Sequence, residues 1–231
     1  MAAHHATPQP PEVQMQIAVL GTGTVGRALA TRLAELDHRV TVGTRDPGQT
    51  LARDPGAPWA GDDPAVALAT FADAATGADV VVNATNGAAS LEVLSLAGTD
   101  ALAGTVLLDV SNPLDFSAGF PPSLFVKDTD SLGERIQAAY PGSRVVKSLN
   151  TLTADLMVHP ETLPEGTTVF VCGNDARAKE TVTGLLAELG HTDVLDLGDL
   201  TAARGTEMYL PLWLRMMGTL GTAKFNIRVV R

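Results

Sequence analysis

The segment Met15-Gln-Ile-Ala-Val-Leu-Gly-Thr-Gly-Thr-Val-Gly26 constrains this chain most. A short apolar run ends in a G-x-G-x-x-G turn, and an amphipathic stretch, Arg27 to Leu36, follows without a break. Strand, glycine turn and helix in that order are what a dinucleotide diphosphate requires. Gly21 permits the tight turn. Gly23 lets the backbone approach the phosphates, and Gly26 lets the helix pack close to the strand. Thr22, Thr24 and Val25 complete the turn, so their backbone N–H groups and the positive end of the helix dipole face the anion.

The next strand, His38-Arg-Val-Thr-Val-Gly43, ends in Thr44-Arg45. An NAD site places an acidic residue at this strand end, to bond the ribose 2′-hydroxyl. A hydroxyl and a guanidinium suit a 2′-phosphate instead, because arginine bonds phosphate as a fork and keeps its charge. The reading is NADP(H) over NAD. Arg45 as an ordinary solvated charge is the bland alternative. Asp46 lies one residue on, and Asp46-Pro47-Gly48 reads as a turn in which Asp bonds its own backbone.

Several function classes fall away on composition. The 231 residues carry a formal net charge of −10, which disfavours nucleic acid as a partner. No apolar run is long enough to span a membrane. The single cysteine, Cys172, excludes an internal disulfide and a cysteine-built metal site and fits a reducing cytoplasm. It lies on an apolar strand and reads as an inert buried thiol. Residues 1–13 are polar and Pro-rich without an apolar core. They read as a disordered tail, and His4 and His5 as part of it rather than as metal ligands.

Along the chain, Asp46 to Pro64 reads as a surface loop. Its Trp59 either covers the cofactor or packs down, and packing is favoured. Strands are expected at 65–70, 78–84, 105–110, 144–147, 167–172 and 193–197. Helices are expected at 72–76, 90–97, 131–140, 154–159 and 176–189, the third of these opened by the capping box Ser131-Leu-Gly-Glu134. The alternation predicts an α/β fold, a Rossmann doubly wound parallel sheet with a small C-terminal α/β domain. The boundaries are a tail at 1–13, an NADP-binding domain at 14–152 and a small domain at 153–231. The stretch Thr206–Leu220 is apolar nearly all round, so it is buried inside the fold or between subunits, with a dimer helix favoured. Pro211 fits its first turn or kinks it.

In open α/β sheets the ligand lies beyond the carboxyl ends of the strands. Three loops there carry polar groups: Asn83-Ala84-Thr85-Asn86-Gly87, Asp109-Val110-Ser111-Asn112-Pro113, and Lys147-Ser148-Leu149-Asn150-Thr151. Such groups hold ribose hydroxyls and a carboxamide, although Asn, Ser and Gly also form plain turns. No Ser/His/Asp triad, zinc motif or carboxylate pair stands out, so no side chain is nominated for acid–base catalysis and no metal is expected. His159 and His191 read as structural. Hydride transfer between two bound cofactors mainly needs proximity and orientation. After Glu207 the chain carries Arg215, Lys224, Arg228 and Arg231 and no acid. These cations either pair with the acidic remainder or form a local field for an acidic second ligand.

Together these segments resemble the family of coenzyme F420-dependent NADP oxidoreductases, in particular its actinobacterial-type members. The likeness rests on Ile17 to Gly26, Val42-Gly-Thr-Arg45, Asp109-Val-Ser-Asn-Pro-Leu-Asp115, Arg144-Val-Val-Lys-Ser-Leu-Asn-Thr151, Val169-Phe-Val-Cys-Gly-Asn-Asp175 and Gly205-Thr-Glu-Met-Tyr-Leu-Pro-Leu-Trp213. It implies a Rossmann domain, a small C-terminal domain, a homodimer, and reversible hydride transfer between NADPH and the deazaflavin coenzyme F420. By position, Thr22, Gly23, Thr24 and Val25 would hold the diphosphate, and Thr44 and Arg45 the 2′-phosphate. Ala84, Thr85 and Asn86 would lie beside the ribose or nicotinamide. Asn112, Pro113, Asn150 and Leu152 would line the region where the rings meet. Archaeal members tend to place Lys near the 2′-phosphate where this chain has Gln49, which leaves Arg53 as a substitute. Two rival readings keep the nucleotide and change the rest: reduction of a flavin, quinone or ferric complex, and a non-catalytic NADP(H)-sensing module.

Overall fold

The computed structural model describes residues 14–60 and 64–231. The tail assigned to residues 1–13, with His4 and His5, lies outside them.

The chain opens with β1 (Gln16–Leu20), α1 (Thr24–Glu35) and β2 (Arg39–Thr44). Next come α2 (Pro47–Arg53), β3 (Ala67–Thr70), α3 (Phe71–Ala75) and β4 (Val80–Asn83). A 3-10 turn at Gly87–Ala89 leads into α4 (Ser90–Ala97), α5 (Thr99–Leu102) and β5 (Val106–Asp109). A small hairpin, β6 (Leu114–Asp115) and β7 (Ser123–Leu124), precedes α6 (Leu132–Ala139) and β8 (Arg144–Ser148). The remainder is α7 (Ala154–Val158), β9 (Thr168–Gly173), α8 (Ala176–Glu188), β10 (Asp193–Asp196), α9 (Ala203–Met208) and α10 (Leu210–Leu220).

Eight strands form one sheet in the order β10-β9-β8-β5-β4-β1-β2-β3. From β3 to β8 every pairing is parallel. The order reverses between β1 and β4, which opens a crevice at their carboxyl ends. Residues 153–231 add β9, antiparallel to β8, and β10, parallel to β9.

Strand alternation divides the core between the two faces of the sheet. Ile17 and Val19 of β1 pack with Leu29 and Leu33 of α1, Leu156 of α7 and Val182 of α8. Ala18 and Leu20 point the other way, toward Phe71 of α3, Leu94 of α4 and Ile136 of α6. Both faces of β1 are therefore covered, and its carboxyl end is held rigidly beside α1.

One expected loop is a helix. Asp46 caps α2 by accepting from Gln49 N at 2.9 Å, and Pro47 occupies the first turn, where its missing N–H costs nothing. Asp46 does bond local backbone, as a helix cap rather than as a simple turn. Trp59 packs down: it is 3% exposed, and Arg27 of α1 lies over its ring, 5.1 Å from the centroid. Arg27 also pairs with Asp54, tying the end of α2 to α1.

The apolar C-terminal stretch is two helices, with Pro211 in the first turn of α10. Only Leu210 and Trp213 of α10 are buried, while Leu212 and Leu220 are more than half exposed. Beyond α10 the chain folds back: Phe225 stacks on Trp213, and Thr168 N donates to Ile227 O at 3.0 Å. Lys224, Arg228 and Arg231 meet Asp155, Glu165 and Asp193, so three of the four C-terminal cations pair with acidic residues.

Candidate functional site

Two adjoining cavities lie over the crevice between β1 and β4. The larger, about 600 Å³, runs from the glycine turn (Gly21, Thr22, Gly23) to the tip of β2 (Thr44, Arg45) and on to Gln49, Thr50 and Arg53 of α2. Phe71 and Val93 supply apolar wall. The smaller, about 210 Å³, is bounded by Val25, Val110, Ser111, Asn112, Leu152 and Met157, with Leu114 and Phe116 of the hairpin region. Ala84, Thr85 and Asn86 line both cavities.

The glycine turn fits a diphosphate. A side chain at Gly23 would meet nothing within 4 Å, so the space before the first N–H groups of α1 is open. A Cβ at Gly26 would stand 2.0 Å from Gly21 O, which shows how closely helix and turn approach. Gly21, at φ 123°, turns the chain where other residues are strained. Thr24 is exposed at the start of α1, beside rather than inside the larger cavity.

At the tip of β2, Thr44 Oγ1 and Thr50 Oγ1 are 2.8 Å apart. Arg53 Nη2 donates to Gln49 Oε1 at 3.0 Å. Two guanidiniums and two hydroxyls thus border one end of the cavity, a donor set suited to a phosphomonoester.

Beneath both cavities lies a buried polar network. Asn83 Nδ2 donates to Asp109 Oδ1 (2.9 Å) and Ser90 Oγ (3.0 Å). Thr85 Oγ1 donates to Asn83 Oδ1 at 2.6 Å, which fixes the loop shared by the two cavities. Lys147, fully buried, reaches Asp109 Oδ2 (2.7 Å), Ser111 O (2.6 Å) and Glu207 Oε1 (2.9 Å). Burial alone would push its ammonium down. The carboxylates of Asp109 and Glu207 outweigh that and hold it above the ordinary lysine value. Glu207 of α9 also accepts from Leu132 N (2.8 Å) and Gly133 N (3.1 Å), capping α6. One ammonium thereby joins β5, β8, α6 and α9 behind the smaller cavity.

The expected residues divide between cavity wall and support. Gly21, Thr22, Gly23, Thr44, Arg45, Ala84, Thr85, Asn86, Val25, Asn112 and Leu152 face one cavity or both. Gly26, Pro113 and Asn150 are buried behind the wall. Asn150 follows Leu149, a non-glycine residue at φ 61°, and its amide is directed at Asn112 and at Thr206 O (3.0 Å). Motif reading passed over Thr50, Phe71, Val93, Phe116 and Met157. The Asp46-Pro47 helix start was the available signal for Thr50; the apolar four carry no local signature. Cys172 is fully buried, and burial pushes its thiol up to about 12. His159 pairs with Glu161, and His191 is buried against Met157 O (3.0 Å). Among the described residues no cluster of His, Cys, Asp and Glu is arranged to hold a metal ion, and no helix is long and apolar enough to cross a membrane.

The family model for "NADP oxidoreductase coenzyme F420-dependent" matches residues 16–113, the stretch from β1 through the loop after β5. A crystal structure from Arthrobacter sp. FB24, provisionally described as an F420-dependent NADP-reductase, is 57% identical in sequence and superimposes with a TM-score of 0.90, covering 94% of this chain and all of that one. The chain belongs to the F420-dependent NADP oxidoreductase family. Within it, the F420-dependent NADP reductase of Methanothermobacter marburgensis is 27% identical over 87% of this chain and 92% of its own length. Metalloreductase STEAP3 of Rattus norvegicus is 32% identical over 88% of this chain. The chain spans 38% of that relative's length, and 36–37% of the STEAP2 relatives it also matches. The mostly parallel sheet described above is the Rossmann-like α/β fold shared with the Arthrobacter structure.

Proposed function

We propose that this chain carries out reversible hydride transfer between NADPH and the deazaflavin coenzyme F420. The observation that carries the reading is the wall of Ala84, Thr85 and Asn86 common to two cavities of unlike chemistry. One cavity has a diphosphate turn and a guanidinium end. The other is largely apolar, with the Asn112 amide set in it. A dinucleotide lying along the first brings its far ring to the shared wall, where a second planar ring fits the apolar space.

When both are bound, NADPH supplies a hydride and F420 takes it with one proton from solvent, giving NADP⁺ and F420H₂. The protein's part is placement. The start of α1 holds the diphosphate through backbone N–H groups. Arg45, with Thr44 and Arg53, holds the 2′-phosphate. The buried network under Thr85 and Asn112 keeps the meeting point stiff, and Val25, Leu152 and Met157 exclude water from it. Holding two reactants in this way is equivalent to effective molarities of about 10⁵–10⁸ M. The residues lining the smaller cavity offer hydroxyls and amides, which orient a ring without exchanging a proton at neutral pH.

In this reading residues 14–152 bind NADP, and residues 153–231 complete the deazaflavin side and the subunit contact. The exposed apolar side chains of α10, Leu212 and Leu220, support a homodimer built on that helix. The free thiol of Cys172 suits a cytoplasmic setting.

The test mixes protein, NADPH and F420 and follows bleaching of the deazaflavin absorbance, with flavin, quinone and ferric complexes as parallel acceptors. Bleaching confined to F420 supports the proposal. Folded protein that binds NADPH and leaves F420 oxidised refutes it. Light scattering of the protein and of Leu212→Glu tests the dimer, which the substitution should split.

A further inference from the structure

Arg45 has a carboxylate partner. Its Nη2 donates to Glu92 Oε1 at 2.8 Å, joining the tip of β2 to the first turn of α4. Both side chains are open to solvent, at 69% and 63%. Val93, next to Glu92, lines the larger cavity together with Arg45, so the pair spans the rim. The other charged side chains on that wall are Arg53, engaged by Gln49, and Asp46, engaged as the α2 cap. Arg45 and Arg53 outweigh Asp46 by one positive charge, and Glu92 cancels the excess.

We propose that Glu92 sets nucleotide specificity by competing for Arg45, so that the preference for the 2′-phosphorylated nucleotide is held below what the two arginines alone would give. This rests on the larger cavity being the NADP site. An exposed Arg–Glu pair is weak and readily exchanged. A phosphomonoester carries more charge than a carboxylate and takes the guanidinium fork from it. It must then tolerate the displaced Glu92 nearby, a like-charge contact that raises the free energy of the complex. A nucleotide with a plain 2′-hydroxyl brings no such charge and leaves the pair intact. Glu92 therefore acts on one nucleotide and not on the other.

Calorimetric titration of NADPH and NADH into the wild-type protein and Glu92→Gln tests this without any acceptor. The substitution should tighten NADPH binding about 2- to 5-fold, the scale of one exposed charge interaction given up. NADH affinity should change less than about twofold. The gain should shrink as salt is raised, since both groups are solvent-exposed. In an Arg45→Ala background the same substitution should give a smaller gain, because the competition is gone and only the direct repulsion between Glu92 and the phosphate remains. Unchanged or weaker NADPH binding by folded Glu92→Gln overturns the proposal, as does equal tightening of both nucleotides. Failure of the wild-type protein to bind NADPH would instead overturn the cavity's assignment, and this proposal with it.

Discussion

Asn112 and Asn150, 38 residues apart, exchange amide hydrogen bonds: Asn112 Nδ2 donates to Asn150 O at 2.8 Å, and Asn150 Nδ2 donates to Asn112 Oδ1 at 3.0 Å. The first residue faces the smaller cavity; the second is 2% exposed and lies behind it. In the proposed reading Asn150 therefore positions, and the cavity-facing group is the Asn112 side chain it holds.

Asn150→Ala should leave Asn112 Oδ1, partly buried at the cavity wall, and the buried Thr206 O without their donor. A loss of about 1–3 kcal/mol in stability is expected, measured by urea unfolding. The functional signature is a fall in kcat, or a rise in the acceptor KM, with NADPH affinity kept within about twofold. Equal loss of NADPH binding would place Asn150 in contact with the nucleotide instead.

Lys147 stands between two buried carboxylates, so its removal strands both. Lys147→Met should cost about 3–5 kcal/mol, the range for breaking a buried ion pair by removing one partner. The pH dependence has a defined sign. The ammonium is held above the ordinary value of 10.5, so its contribution is complete below that value and is lost only as pH rises through the still higher folded-state value. The stability gap between wild type and Lys147→Met should therefore not close between pH 7 and about 9.5. A gap that closes within that interval would mean the triad is not charged as described.

Much of the larger cavity's wall was legible because its signals are local. The glycine turn needs contiguous residues, and Thr44-Arg45 sits at the end of a strand marked by its β-branched run. Helix α2 was hidden by Pro47-Gly48, which reads as a breaker although Asp46-Pro47 is also a helix start. The support layer was illegible for another reason. Lys147 meets Asp109 and Glu207 from 38 and 60 residues away, and nothing in the sequence marks a lysine on an apolar strand as paired. The C-terminal helices show the same limit: an all-round apolar pattern could not tell Trp213, which is buried, from Leu212, which is exposed.

Arg45→Glu reverses the charge at the tip of β2. A charge-assisted contact is worth about 1.5–3 kcal/mol, so NADPH binding should weaken about 10- to 100-fold or more once repulsion is added. NADH binding should change several-fold less. Titration of both nucleotides reads the difference, and equal losses would show that Arg45 does not meet the 2′-phosphate.

His191 gives the protein an acid sensitivity distinct from that of its carboxylates. Burial lowers its pKa from 6.5, and the bond to Met157 O opposes that only in part. A depressed folded value means that stability is complete above 6.5 and declines as pH falls below it, because the unfolded chain takes up the proton first. His191→Gln should flatten the decline that begins just under pH 6.5 in thermal unfolding scans. An unchanged profile would assign that decline to other groups.

Gly87 supplies the most stringent test of how the two cavities are joined. It ends the loop that carries Ala84, Thr85 and Asn86, and a Cβ there would stand 2.0 Å from Asn112 O. That atom is backbone and cannot rotate away. Gly87→Ala must therefore push the shared loop and the Asn112 loop apart, by an amount that a hydride donor and acceptor in contact cannot absorb. The diphosphate turn packs on Ala84, at the opposite end of the loop from Gly87. The expected result is NADPH binding within a few-fold of wild type and turnover lowered about 100-fold, the scale of a misplacement of about 1 Å at a reacting pair. Wild-type turnover in folded Gly87→Ala would mean that the two loops need not meet, and the shared wall would then lose its part in bringing the rings together.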